Sequence, residues 1–177
     1  MPSATETPSR RDRQIAGFAA VAILIHLLEA GLPSPVPGIK PGLANIVTLV
    51  VLLRHGLAAA VWVTGLRVLV GSLLVGSFLA PGFWLSAAGA TASLAALAAG
   101  LGLARGLPLL APSVIGLSAL SAVAHVAGQF LLAWSVFVPH PGLLALLPPL
   151  LTAALALGLV TGVLAQRLLQ RLPPLPE

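Results

Sequence analysis

Residues 57–79 read LAAAVWVTGLRVLVGSLLVGSFL, an unbroken apolar run with a single charge, Arg67, near its middle. An α-helix needs roughly 20 mainly apolar residues to cross a hydrocarbon core of about 30 Å. This run meets that length, and a buried strand would be far shorter. Ala80-Pro81-Gly82 ends it, and the pattern then repeats. Apolar runs follow at 83–104, at about 112–138 and at about 146–169, separated by Arg105-Gly106 with Pro108 and by Pro139-His140-Pro141-Gly142. Before it, Arg54-His55-Gly56 closes a shorter run at 43–53, and PSPVPGIKPG at 33–42 precedes that. So many Pro and Gly residues exclude regular helix in this connection. A first run covers 14–32.

Composition agrees. Hydrophobic residues make up 58% of the 177-residue chain and charged residues only 7%. Soluble domains carry about 25% charge, and disordered chains are poor in apolar residues. Both classes are excluded, and an all-α polytopic membrane helix bundle is expected. The net charge of +5 does not point to nucleic acid, because the basic residues lie singly between apolar runs. With no Cys, disulfides, thiolate metal sites and cysteine nucleophiles are impossible. Ser9-Arg10-Arg11 resembles a twin-arginine export signal, but no small-residue cleavage site follows and five more apolar runs do.

Basic residues favour the cytoplasmic ends of spans. Six spans with the N-terminus inside place Arg10, Arg11, Arg13, Arg54, Arg105, Arg167 and Arg171 inside, and only Lys40 outside. We therefore expect about six transmembrane helices, with both termini cytoplasmic, in the inner membrane of a bacterium. The expected organisation is a flexible tail at 1–13, one transmembrane domain at 14–171 and a C-terminal tail at 172–177. The second run reaches only about 20 Å at 1.5 Å per residue, so it tilts or packs within protein rather than crossing freely.

Ionisable and polar residues at membrane depth are costly, which makes them the informative ones. Glu29 lies near the outer end of span 1, with His26 one turn earlier on the same face. Arg67 is mid-span 3; His125 is mid-span 5, with Gln129 four residues later. Asn45 and Thr48 begin span 2, and Lys40 precedes it. A charge at mid-bilayer costs at least about 2.5–3.5 kcal/mol, so Arg67 must be paired or hydrated. Glu29 is the acid available to it. Two readings result. One is a structural Glu29–Arg67 pair that binds nothing. The other is a pocket, open to the outside, for an anionic or strongly hydrogen-bonding solute. No metal site is expected, because the spacing of the two His and the Glu carries no metal signature.

Small residues are the second signal. Ala16 and Ala20 are spaced for close helix approach at the inner end of span 1 and suit partner docking. Gly71 and Gly76 in span 3, and Gly89, Ala95 and Ala99 in span 4, are expected to serve internal packing. No phosphate-binding loop, acid pair or Ser-based triad is present. The chain cannot hydrolyse ATP by itself, and no cofactor is expected.

Three blocks carry a family resemblance: PVPGIKPGLANIVTL at 35–49, RVLVGSLLVGSF at 67–78 and SAVAHVAGQ at 121–129. They resemble the bacterial family called heptaprenyl diphosphate synthase component I, also called the Gx transporter family. That family is similar to the S components of energy-coupling factor transporters. The resemblance implies a six-helix protein that binds a small vitamin-like or isoprenoid solute near its outer face. It also implies docking, through small residues of span 1, on a transmembrane coupling subunit with two ATPases supplied by other chains. By resemblance, Gly38, Lys40, Asn45, Arg67, His125 and Gln129 are the motif positions. Pro41 departs from the family pattern, where an apolar residue is expected. The synthase name fits the residues poorly. Prenyl synthases hold Mg²⁺ on Asp-rich motifs, and none occurs here. A membrane accessory of such a synthase is the alternative function. A proton-coupled secondary transporter using Glu29 or His125 is a third.

Overall fold

The computed structural model describes residues 9–31 and 43–172. Six α-helices account for most of them: α1 Arg10–Gly31, α2 Leu43–His55, α3 Leu57–Val75, α4 Pro81–Gly106, α5 Val114–Leu132 and α6 Leu147–Arg171. A π-helical turn, Ala133–Phe137, extends α5, and a 3-10 turn, Pro141–Leu146, leads into α6. The expected helix bundle is what forms.

Local chemistry fixes the helix ends. α1 begins at Arg10, inside the stretch expected to be a tail. Ser9 is the reason: its Oγ accepts from the Asp12 N–H at 3.1 Å, and Asp12 Oδ2 accepts from the Ser9 N–H at 3.0 Å. This reciprocal capping satisfies two N–H groups that a helix start otherwise leaves bare. Pro81 opens α4 at a position where a missing N–H costs nothing. Ser113 caps α5 by accepting from the Gly116 N–H. Gly76 closes α3 with φ of 75°, a left-handed conformation that favours glycine.

Helices α3, α4, α5 with its π turn, and α6 with its 3-10 lead-in are long and apolar enough to cross a membrane. Their exteriors are apolar as well: Trp62 is 65% exposed and Leu74 62%. Only 11% of the most apolar window of α6 is buried. Such a surface suits lipid and not water. α2 is the opposite case. It has 13 residues, and Ala44 and all of Val47–Leu52 are buried against α1, α3, α5 and α6. A helix too short to span alone is thus enclosed by protein, as its length requires.

Small residues bring α4, α5 and α6 together. A Cβ on Gly128 would lie 2.7 Å from the Ala92 Cβ, and one on Gly158 2.8 Å from the Ala119 Cα. Gly162 meets the Ile115 Cα equally closely. Gly71 and Gly89 also face the interior, whereas Ala95 and Ala99 face outward.

The bundle has two unlike ends. Arg13, Arg54, Arg105, Arg167 and Arg171 gather at one end, which we call the arginine end. Phe78, Trp84, Trp134 and Phe137 are exposed at the other, which we call the aromatic end. Trp and Tyr concentrate where a bilayer meets water. The interior changes along the same axis. Toward the arginine end lies an apolar core that includes Ala19, Ala22, Val51, Leu52, Ala59, Ala60, Val63, Leu97, Leu117 and Ala165. From the middle toward the aromatic end, the same helices turn polar side chains inward: His26, Glu29, Asn45, Thr64, Arg67, Ser93, Ser121, His125 and Gln129.

Candidate functional site

The polar half is assembled from five helices. Arg67 sits about 15 Å along α3 from its start and about 12 Å from its end, at mid-depth. Its residue is only 7% exposed, and its Nε has no hydrogen-bond partner. Thr64, one turn earlier on α3, shares a hydroxyl–hydroxyl bond of 3.2 Å with Thr48 of α2. Asn45, one turn before Thr48, donates from Nδ2 to Ser121 Oγ of α5 at 3.0 Å. Ser93 of α4 donates to the same Ser121 Oγ at 3.1 Å. Asn45, Ser93 and Ser121 therefore tie α2, α4 and α5 together with one continuous set of hydrogen bonds.

His125 is one turn beyond Ser121, and Gln129 one turn beyond that, both half-buried. They lie across Gly89 of α4. A Cβ on Gly89 would sit 2.7 Å from Gln129 Cγ and 2.8 Å from His125 Nε2. The His125 ring thus packs directly on the α4 backbone at Gly89. Its Nδ1 is buried and has no hydrogen-bond partner. Gly89 is therefore the notch that lets these two side chains lie flat against α4.

Glu29 does something other than pair with Arg67. It is 5% exposed, and its Oε1 accepts from the Leu43 N–H at 2.6 Å. That N–H is one of the bare donors at the start of α2, and a carboxylate there is also favoured by the helix dipole. Among the described residues no ion pair joins Glu29 to Arg67, although the charge of Glu29 still acts on Arg67. The offset is geometric. His26 packs on Gly71, one turn beyond Arg67, and Glu29 lies a further turn along α1, so the two charges occupy different levels. Glu29 anchors the α1–α2 corner and leaves the Arg67 Nε without a hydrogen-bond partner.

The expected residues thus fall into three groups. Asn45, Thr48, Arg67, His125 and Gln129 face the shared interior, with His26 and Glu29 at its rim. Gly38 and Lys40 lie outside the described residues. Ala16 and Ala20 are exposed on α1, while Ala19 and Ala22 of the same helix are buried. Ser93, Ser121 and Thr64 were not singled out from the sequence as site residues. Gly89 was singled out only as a packing residue. Among the described residues no three of His, Asp and Glu gather as a metal site. A separate groove of about 300 Å³ lies at the arginine end, lined by Leu52, Leu53, Gly56, Leu57, Ala98, Leu101 and Arg105. It has one charged side chain and none of the converging hydrogen-bond groups of the polar half.

A buried donor or acceptor with no partner costs about 1–3 kcal/mol, and more when charged. Arg67 Nε and His125 Nδ1 are two such atoms in one interior. Native folds hold few such atoms, and each calls for an explanation such as a bound water, an ion, strain or a functional role. What the described interior can offer chemically is hydrogen bonding and positive charge.

No curated protein and no solved structure matches this chain significantly. The family model described as heptaprenyl diphosphate synthase component I matches residues 18–168, most of the chain, including all three sequence blocks beyond residue 35. The protein belongs to the heptaprenyl diphosphate synthase component I family.

Proposed function

We propose that this membrane protein is a solute-binding and uptake subunit resembling an energy-coupling factor S component. It takes a small anionic, vitamin-like or isoprenoid solute from the outer side of the bacterial cytoplasmic membrane. The observation that carries this reading is the polar half-interior in which Arg67 Nε and His125 Nδ1 are buried without partners. Asn45, Gln129 and, from the α1–α2 connection, Lys40 complete the solute contacts. His26, Glu29, Thr48 and Gly38 shape the site. The arginines mark the cytoplasmic end, so the polar half opens outward and the apolar half seals the inner side. Six spans with both termini inside follow from that orientation.

The chain is non-catalytic in this reading. It has no ATP-binding motif, so the energy comes from a transmembrane coupling subunit and ATPases on other chains. The exposed Ala16 and Ala20, at the cytoplasmic end of α1, provide a close-approach face for that subunit. The test is native mass spectrometry of the detergent-purified protein. A small solute should be retained by the wild type and lost in Arg67→Ala and His125→Ala variants that remain folded. Retention of the same solute by both variants would refute the site.

The family's name favours a second reading, a membrane accessory of a heptaprenyl diphosphate synthase. It predicts co-purification of a soluble prenyl synthase with a solute-free protein.

A further inference from the structure

The groove at the arginine end lies between the α2–α3 corner and the last turns of α4. The corner explains why that space is open. α2 ends at His55 and α3 begins at Leu57, so Gly56 alone makes the reversal. Its φ of 85° is a conformation that favours glycine. A one-residue corner leaves no loop to fill the space beside α4. The lining is graded along the bundle axis. Ala98, Leu101 and Arg105 follow one another down α4 over about 10 Å. Leu52, Leu53 and Leu57 form the opposite wall, so the apolar part lies inward of Arg105. Arg105 is exposed in the last turn of α4, and among the described residues it has no hydrogen-bond or ion-pair partner. Gly56 and Leu57, also in the lining, form the start of α3, where no side chain caps the bare N–H groups of the first turn. Among the described residues no carboxylate lines the groove. A guanidinium and uncapped N–H donors at the membrane surface, with an apolar trough running inward, complement a phosphate ester joined to a hydrocarbon chain.

We infer that this groove binds an anionic phospholipid of the leaflet at the arginine end. The headgroup phosphate sits on Arg105 and the start of α3, and one acyl chain enters along Leu52, Leu53 and Leu101. A volume of about 300 Å³ takes the neck of the lipid and the first part of one chain, and the remainder stays in the bilayer. Charge sets the preference. In a zwitterionic lipid the headgroup's own ammonium balances the phosphate, whereas an anionic headgroup leaves it for Arg105. The inference is independent of the solute reading, because no residue of the polar half lines the groove. α1, which carries Ala16 and Ala20, contributes no lining residue either, so the lipid and a partner on that face use different surfaces.

The test is lipid titration of the delipidated full chain in detergent, read by native mass spectrometry. Phosphatidylglycerol and phosphatidylcholine with identical acyl chains are the probes. The first phosphatidylglycerol should bind about fivefold more tightly than the first phosphatidylcholine, as expected for one arginine at a membrane surface. Arg105→Gln should erase that preference, and Arg105→Lys should keep most of it. Both changes fall on an exposed side chain, so folding is not at stake. Arg171→Gln, an exposed arginine at the same end but outside the groove, should leave the preference intact. Glycerol 1-phosphate at the same concentration should not displace the lipid. Equal affinity of the wild type for the two lipids would overturn the inference and leave the groove to a partner helix. Equal losses in Arg105→Gln and Arg171→Gln would overturn it in favour of general surface attraction. Displacement by glycerol 1-phosphate would overturn it in favour of a site for a free phosphate ester.

Discussion

The two halves of the bundle interior are built by the same helices and are chemically opposite. Along α5, Leu117 packs in the apolar core, Ser121 bonds Asn45 and Ser93, and His125 and Gln129 follow at successive turns. Along α3, Ala59, Ala60 and Val63 are fully buried among apolar neighbours, and Thr64 and Arg67 come next. α1 changes from Ala19 and Ala22 to His26 and Glu29 in the same direction. Apolar packing alone would hold such a bundle together, and the polar half adds interhelical hydrogen bonds to it. The apolar half is filled by small and branched side chains, and the polar half holds buried donors and acceptors that are only partly satisfied. One half is an apolar core, and the other carries the polar groups on which the proposed solute site rests.

The largest effect should come from mixing the two characters. Val63→Asp places a charge in the apolar half, where Val63 is fully buried. Burying an unpaired charge costs several kcal/mol, so this variant should fail to accumulate as folded protein, read by detergent size-exclusion chromatography. Thr64→Val, one residue away in the polar half, should remain folded. If both variants behaved alike, the boundary between the halves would be misplaced. A smaller effect is expected from Gly89→Ala. Its Cβ collides with Gln129 and His125, side chains that can move. The protein should stay folded while solute retention falls by about tenfold, roughly 1.4 kcal/mol. Unchanged retention would remove Gly89 from the site. Next comes Asn45→Ala, which breaks one interhelical bond and should lower thermal stability by about 1 kcal/mol. Smallest is Ser118→Ala. It breaks the 3.1 Å bond to Thr161 between α5 and α6, and interhelical bonds of this kind average about 0.6 kcal/mol. Urea or thermal titration in detergent reads both. An Asn45 effect smaller than the Ser118 effect would argue that the polar half is no more tightly tied than the rest of the bundle.

The sequence showed the helices because apolar length and Pro/Gly punctuation are one-dimensional signals. It also showed depth, since Arg67 and His125 fall at mid-helix by counting alone. It failed where the answer depends on neighbours. Glu29 seemed the partner of Arg67 because it is the acid within the apolar runs, yet the corner between α1 and α2 takes its carboxylate. The offset between two helices cannot be counted along either one. Ser93 and Ser121 were overlooked for a related reason. Most Ser and Thr in such helices bond their own backbone, as Ser72 does to Leu69, Thr91 to Ala87 and Ser135 to Leu131. Ser121 differs from these by what faces it. One signal was available: Ser121, His125 and Gln129 recur every four residues and mark a polar stripe on α5. The early start of α1 was also legible, since Ser9 and Asp12 have capping spacing.

Cysteine accessibility tests the central claim most directly, because the chain has no cysteine of its own. Single Gln129→Cys and Leu117→Cys variants place a thiol in each half of the same helix, about 18 Å apart. Intact cells would be treated with a membrane-impermeant maleimide. The account predicts labelling of the Gln129→Cys variant from outside and none of Leu117→Cys. Labelling of Leu117→Cys, or protection of Gln129→Cys in cells with labelling only after the inner face is exposed, would contradict it.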